Sequence, residues 1–167
     1  MNISGSIRNA PREVRVFIAI FVITLNVGFF TGFNFVRTTT SLSSTGIERN
    51  YLGNEEDEDA EVMYFKKSEN EVLTLIHNHV LSLSVIFFLL GGLLYFTNMN
   101  NSLKSILMFE PFVSLILTFG GIYLLWLGMI WVKYIIMISG AAMIISVIWS
   151  SIYLIKECLI PSKMTSK

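Results

Sequence analysis

Four long apolar stretches constrain this chain more than any other feature of its sequence. Val16–Val36 contains 21 residues without a charge, and further apolar segments cover 72–97, 106–128 and 132–155. The hydrocarbon core of a bilayer is about 30 Å thick, and a helix of about 20 apolar residues crosses it. None of the segments alternates polar and apolar residues, which excludes the strands of a membrane barrel. The sequence therefore predicts an all-α membrane protein with four transmembrane helices in a bundle.

The composition favours a single membrane domain over residues 1–167. Hydrophobic residues make up 53% of the chain and charged residues only 14%, a balance unlike that of a soluble domain. The longest water-facing segment, 37–71, is too short to build a hydrophobic core of its own. The sequence contains no basic stripe, so we expect the lipid bilayer and no nucleic acid as a partner.

The basic residues before the first span predict the orientation of the chain. Arg8, Arg12 and Arg15 precede an apolar run that exceeds the core of a cleaved signal peptide, and no small-residue cleavage pattern follows it. We therefore expect an uncleaved signal-anchor helix. Placing both termini in the cytoplasm gives that side seven Lys and Arg residues against five on the other side. The positive-inside rule favours this orientation.

Small residues recur at intervals of four or seven along the spans and predict how the helices pack. Lipid offers no hydrophobic gain for contact between helices, so the close approach of small residues becomes the main attraction. The positions expected at helix interfaces are Gly28, Gly32, Gly91, Ser146 and Ser150. Packing within one chain is the preferred interpretation, and contact between two copies in a homodimer is the alternative.

The segment 37–71 is predicted to be an exposed acidic loop. Thr38–Gly46 is dominated by hydroxyl side chains, which compete for backbone hydrogen bonds and favour turns over helix. The run Glu55–Glu61 lacks the residue order of a calcium-binding loop and is expected to be solvated. Between these two stretches, Ile47 and Tyr51 predict a short ordered element that rests on the membrane or on the bundle.

The second span begins with a helix-capping signal. Ser68 precedes Glu71 by three residues, which is the spacing of a capping box. A helix from there to about Thr97 is longer than the hydrocarbon core, because each residue adds about 1.5 Å. Its first turns therefore stand at or above the membrane surface.

The two histidines of the chain, His77 and His79, lie in these first turns. Residues two apart on a helix point about 200° away from each other, so one ion cannot bind both rings without distortion. We expect both rings to make hydrogen bonds at the water boundary. The alternative is a haem b or a transition metal, because neutral imidazole is the commonest ligand of both. Haem would then need a second axial ligand from a Met, a partner subunit or a homodimer interface.

Five short motifs between residues 38 and 97 carry a resemblance to known proteins. They are Gly46-Ile47-Glu48, Tyr51-x-Gly53-Asn54, Lys67-Ser68, His77-x-His79 and Gly91-Gly92. Together they resemble small uncharacterised bacterial inner-membrane proteins with four helices. The resemblance implies a location in a bacterial inner membrane and no particular activity.

Glu110 is the acidic residue that the hydropathy pattern places inside a span. An ionised carboxylate at membrane depth is costly, which makes this residue a candidate for function. We expect it to extend toward Lys104 and the cytoplasm. The alternative is a short proton path, since Pro111 favours a bend where water can enter, and Ser114 and Thr118 continue the polar stripe.

The motifs of known catalytic sites are missing from the sequence. It contains no Walker loop, GxSxG, HExxH or CxxC. The sequence therefore predicts a non-catalytic inner-membrane protein that acts as an accessory or scaffold subunit for a membrane-protein partner. The first alternative is a small haem- or metal-binding electron carrier that uses His77 and His79. The second is a proton-coupled carrier that uses Glu110.

Overall fold

The apolar stretches of the sequence form the long helices of the molecule. A computed structural model describes residues 6–55 and 61–160. The helices are a short 3-10 helix Ile7–Asn9 and five α-helices, α1 Arg12–Thr40, α2 Ser44–Leu52, α3 Glu69–Tyr95, α4 Asn101–Trp126 and α5 Val132–Leu159. Four of these, α1, α3, α4 and α5, are long and apolar enough to cross a bilayer. The predicted all-α fold with four spanning helices is therefore confirmed.

A hairpin of α4 and α5 forms the centre of the bundle. α3 packs on α4 and α1 packs on α5, so the helices follow the spatial order α1, α5, α4, α3. In the most apolar part of each helix, 44% of α4 and 39% of α5 is buried, against 11% of α1 and of α3. The two outer helices therefore turn most of their surface toward lipid.

Small side chains allow α4 and α5 to approach each other closely. A Cβ atom added to Gly121 would lie 2.8 Å from Cγ1 of Ile136. One turn away, the buried hydroxyls of Thr118 and Ser139 share a hydrogen bond of 2.7 Å. Tight contact and an interhelical hydrogen bond are the two attractions available to helices in lipid, and both occur in this hairpin.

Three of the five predicted interface residues lie inside the bundle. Ser146 and Ser150 on α5 are buried, and so is Gly91 on α3. A Cβ atom added to Gly91 would lie in ordinary contact with Met108 of α4, 3.7 Å from its Cγ. Gly91, which has no side chain, therefore faces the α3–α4 interface.

Gly28 and Gly32 lie elsewhere, on an exposed face of α1. A Cβ atom added to either residue would find no atom within 4 Å. The prediction that these two glycines pack against another helix of the same chain is therefore wrong. α1 buries Ile18 and Val22 instead, which lie on a different side of the helix. Because that side faces the bundle, the two glycines face outward.

The stretch predicted as turns, 38–46, is largely helical. Hydroxyls of Thr38, Thr39 and Thr40 donate hydrogen bonds to carbonyl oxygens four residues earlier, at 3.1, 2.8 and 2.8 Å. These bonds satisfy the side chains inside the helix, so α1 continues to Thr40 and the predicted turn is wrong there. The chain turns only over residues 41–43, where Ser41 and Leu42 adopt positive φ angles of 51° and 52°.

The predicted ordered element and the capping box are both confirmed. α2 buries Ile47 and Tyr51. At the start of α3, the Ser68 side chain accepts a hydrogen bond from the Glu71 backbone, and the Glu71 carboxylate accepts one from the Ser68 backbone. Of the acidic run Glu55–Glu61, residues 56–60 lie outside the described residues.

Candidate functional site

The two histidines lie on the exposed first turns of α3 and do not converge. His79 Nδ1 lies 2.8 Å from the carbonyl oxygen of Leu75, and its ring stacks on Phe119 of α4 with 5.0 Å between ring centroids. His77 is exposed and points to another side of the helix. Within 6–55 and 61–160, no three His, Cys, Asp or Glu residues lie close enough to share a metal ion. A metal or haem at these histidines stays a prediction.

Glu110 lies nine residues after the start of α4, about 13 Å along the helix axis. Its Oε1 accepts a hydrogen bond from Ser114 one turn later. Its Oε2 is buried without a hydrogen-bond partner in the described part of the chain. Lys104, the expected neighbour of this carboxylate, instead donates to the carbonyl oxygens of Tyr95 and Thr97 at the end of α3, at 3.2 and 2.7 Å.

The segment between α1 and α3 folds into a polar cap over one end of the α4–α5 hairpin. Lys133 at the start of α5 forms a salt bridge of 2.5 Å with Glu48 of α2. Trp126 at the end of α4 donates from Nε1 to the carbonyl oxygen of Lys67 at 2.8 Å. Burial raises the pKa of the Tyr51 phenol in α2 to about 12. We call α2 with residues 61–68 the cap.

A second polar cluster ties the start of the chain to the opposite end of α5. Arg8 donates two hydrogen bonds to the Glu157 carboxylate, at 2.8 and 2.7 Å, and this carboxylate is fully buried. Arg15 donates from Nη1 to the carbonyl oxygen of Cys158 at 3.1 Å. A bidentate pair of this kind is geometrically specific as well as strong. The cluster therefore fixes the start of α1 against the end of α5.

The open face of α1 is the third feature with a potential role. Thr24, Gly28 and Gly32 follow one another at four-residue spacing, and all three are exposed. Within the described part of the chain, a Cβ atom added to either glycine would meet nothing within 4 Å beyond its own helix turn, which leaves room for the backbone of another helix. We call these three residues the α1 seam.

Sequence reasoning missed the Arg8–Glu157 pair and the Lys133–Glu48 pair. Their partners lie 149 and 85 residues apart in the chain, and no local pattern links such residues. A signal was present in Glu157 itself, because a carboxylate two residues after the last span needs a partner when it is buried.

Comparison with known proteins places the chain in a membrane family. No curated protein and no solved structure matches it. Residues 41–165, about three quarters of the chain, match a family described as a transmembrane helical domain. The matched range contains α2 to α5, whereas α1 precedes it. The chain is thus a multi-pass membrane protein that belongs to the Aq_1264_TM family of transmembrane helical domains.

Proposed function

We propose that this protein is a non-catalytic subunit that assembles with another transmembrane protein through the α1 seam. The observation that carries the proposal is the empty space at Gly28 and Gly32 on a helix that packs mainly on α5. In lipid, helices associate where small residues let their backbones meet. A seam that residues 6–55 and 61–160 leave uncovered is suited to a helix from outside the chain.

The two polar clusters support a scaffold role. Salt bridges at both ends of the bundle, Arg8–Glu157 and Lys133–Glu48, hold the helix ends to one another. The α1 seam is thereby presented on a fixed support, which reduces the entropy that a partner helix must lose on binding. The setting we propose is a bacterial inner membrane, with both termini in the cytoplasm. Arg8, Arg12 and Arg15, which cluster at one end, support this orientation.

Site-specific photo-crosslinking in native membranes tests the proposal. A photoreactive residue at Gly28 is expected to form a discrete adduct with a membrane protein, and the mass of the adduct separates a different protein from a second copy. Gly140 on α5 provides the matched control, because a Cβ atom there also meets nothing within 4 Å. The adduct should disappear when Gly32→Leu fills the seam. Equal lipid adducts at both positions would contradict the proposal.

Glu110 supports a second candidate function, which is proton-coupled transport. The buried, unpartnered Oε2 is the observation that favours it, since an acidic group at membrane depth commonly marks a proton or ion path. Proton uptake by proteoliposomes is the test, with Glu110→Gln as the variant and Glu71→Gln, an exposed carboxylate on α3, as the control. Equal uptake by the wild type and Glu110→Gln would exclude this role.

A further inference from the structure

A groove of about 400 Å³ lies between α1 and α5, within the membrane-spanning part of the bundle. Most of its lining is apolar, and residues such as Phe30 and Ile152 at its edge are well exposed. It therefore opens sideways toward lipid. Three polar side chains, Asn26, Thr31 and Ser151, also line it. A groove of this kind takes a largely apolar ligand that needs a few hydrogen bonds.

The polar groups of the groove have unused hydrogen-bonding capacity. Ser151 is 2% exposed, and its hydroxyl has no hydrogen-bond partner in the described chain. Asn26 donates one N–H of its amide to the carbonyl oxygen of Val22 at 2.7 Å, which leaves the second N–H available. Thr31, by contrast, donates its hydroxyl to its own helix. An unsatisfied donor in hydrocarbon costs free energy, and a ligand that accepts from it recovers that cost.

The depth of these donors restricts the ligand. The contact between Arg15 and Cys158 aligns the start of α1 with the end of α5. From that contact, Asn26 lies about 16 Å along α1 and Ser151 about 10 Å along α5. Both donors therefore lie within the hydrocarbon region, which is about 30 Å thick. Phospholipid esters and charged head groups stay at the interface, and an acyl chain at this depth has no atom that accepts a hydrogen bond.

We propose that the groove binds a membrane quinone. A quinone ring is uncharged, so it can enter hydrocarbon, and its carbonyl oxygens accept hydrogen bonds from Ser151 and Asn26. The exposed ring of Phe30 offers an aromatic face for stacking, and the apolar tail leaves through the open side. The groove shares no lining residue with the α1 seam, and its aromatic residue Phe30 points about 200° away from Gly28 around α1.

Labelling with a photoreactive azidoquinone tests this proposal on the full chain in nanodiscs. The expected result is saturable labelling of peptides from α1 and α5, with competition by decylubiquinone and none by a saturated hydrocarbon of similar length. Ser151→Ala should weaken labelling about five- to tenfold, the effect of one lost hydrogen bond. Ser150→Ala is the matched control, since this neighbouring hydroxyl is also buried and without a hydrogen-bond partner among the described residues but does not line the groove.

Three results would overturn the proposal. If labelling never saturates, or if it is equal in Ser151→Ala and Ser150→Ala, the azidoquinone would only be partitioning into lipid. Competition by phospholipid and saturated hydrocarbon would assign the groove to acyl chains. If a co-purifying protein blocks azidoquinone labelling of the groove, the groove would be assigned to a partner helix. Gly28→Leu should leave quinone labelling unchanged. Failure of the proposal of partner binding at the α1 seam can thus be distinguished from failure of the proposal of quinone binding in the groove.

Discussion

Replacing Gly46 by Ala should separate the cap from α1. A Cβ atom at Gly46 would lie 1.9 Å from the carbonyl oxygen of Thr40 and 2.9 Å from Oγ of Ser43. The first of these atoms belongs to the backbone, so relief requires a shift of α1 relative to α2. Overpacking of this kind costs about 1–3 kcal/mol. Loss of the Ser43 hydrogen bond that caps α2, 3.0 Å from the Gly46 nitrogen, adds about 1 kcal/mol.

The assay is thermal unfolding of the purified protein in detergent, followed by circular dichroism. A loss of about 2–4 kcal/mol should lower the melting temperature by roughly 5 °C or more. The control is Gly28→Ala, where the new methyl group meets nothing within 4 Å and helix propensity favours alanine by up to about 1 kcal/mol. If Gly46→Ala melts at the same temperature as Gly28→Ala, the close packing of α2 on the end of α1 is refuted.

Three further substitutions test other parts of the molecule by the same unfolding assay. Gly121→Ala should destabilise the α4–α5 hairpin by about 1–3 kcal/mol, whereas Gly120→Ala, with open space around it, should not. Arg8→Ala removes the partner of a buried carboxylate and should destabilise the bundle more than Arg12→Ala does; equal effects would contradict the pairing. Burial raises the pKa of Tyr51 to about 12, above the ordinary value of about 10. The stability that its neutral phenol contributes should therefore fall between about pH 10 and 12, and Tyr51→Phe should lose less stability over that range than the wild type.

The parts of the fold that follow from local patterns could be predicted from the sequence. Uninterrupted apolar runs identify the four spans because bilayer thickness fixes their length. The Ser68–Glu71 capping box identifies the start of α3 because both partners lie within one helical turn. Ile47 and Tyr51, apolar residues within a polar segment, indicate a short ordered element, which the structure shows to be the helix α2.

The parts of the fold and of the candidate sites that depend on which side of a helix faces inward could not be predicted from the sequence. Gly28 and Gly32 fit a packing motif equally well whether their partner is α5 or a helix outside the chain, and the sequence does not choose between them. Lys104 was expected near Glu110, six residues away, but the end of α3 offers it unpaired carbonyl oxygens. The groove between α1 and α5 went unnoticed for the same reason, because Asn26 and Ser151 line one groove only after α1 has packed on α5.

The mass of the protein extracted from its native membrane without detergent tests the central claim most directly. The assembly hypothesis predicts a particle in which the chain is joined by a second membrane protein or a second copy. It also predicts that the double variant Gly28→Leu/Gly32→Leu yields single, folded chains, while Gly140→Leu keeps the larger mass. A wild-type protein that is extracted as a single chain, or an assembly that survives the double variant, would contradict the claim.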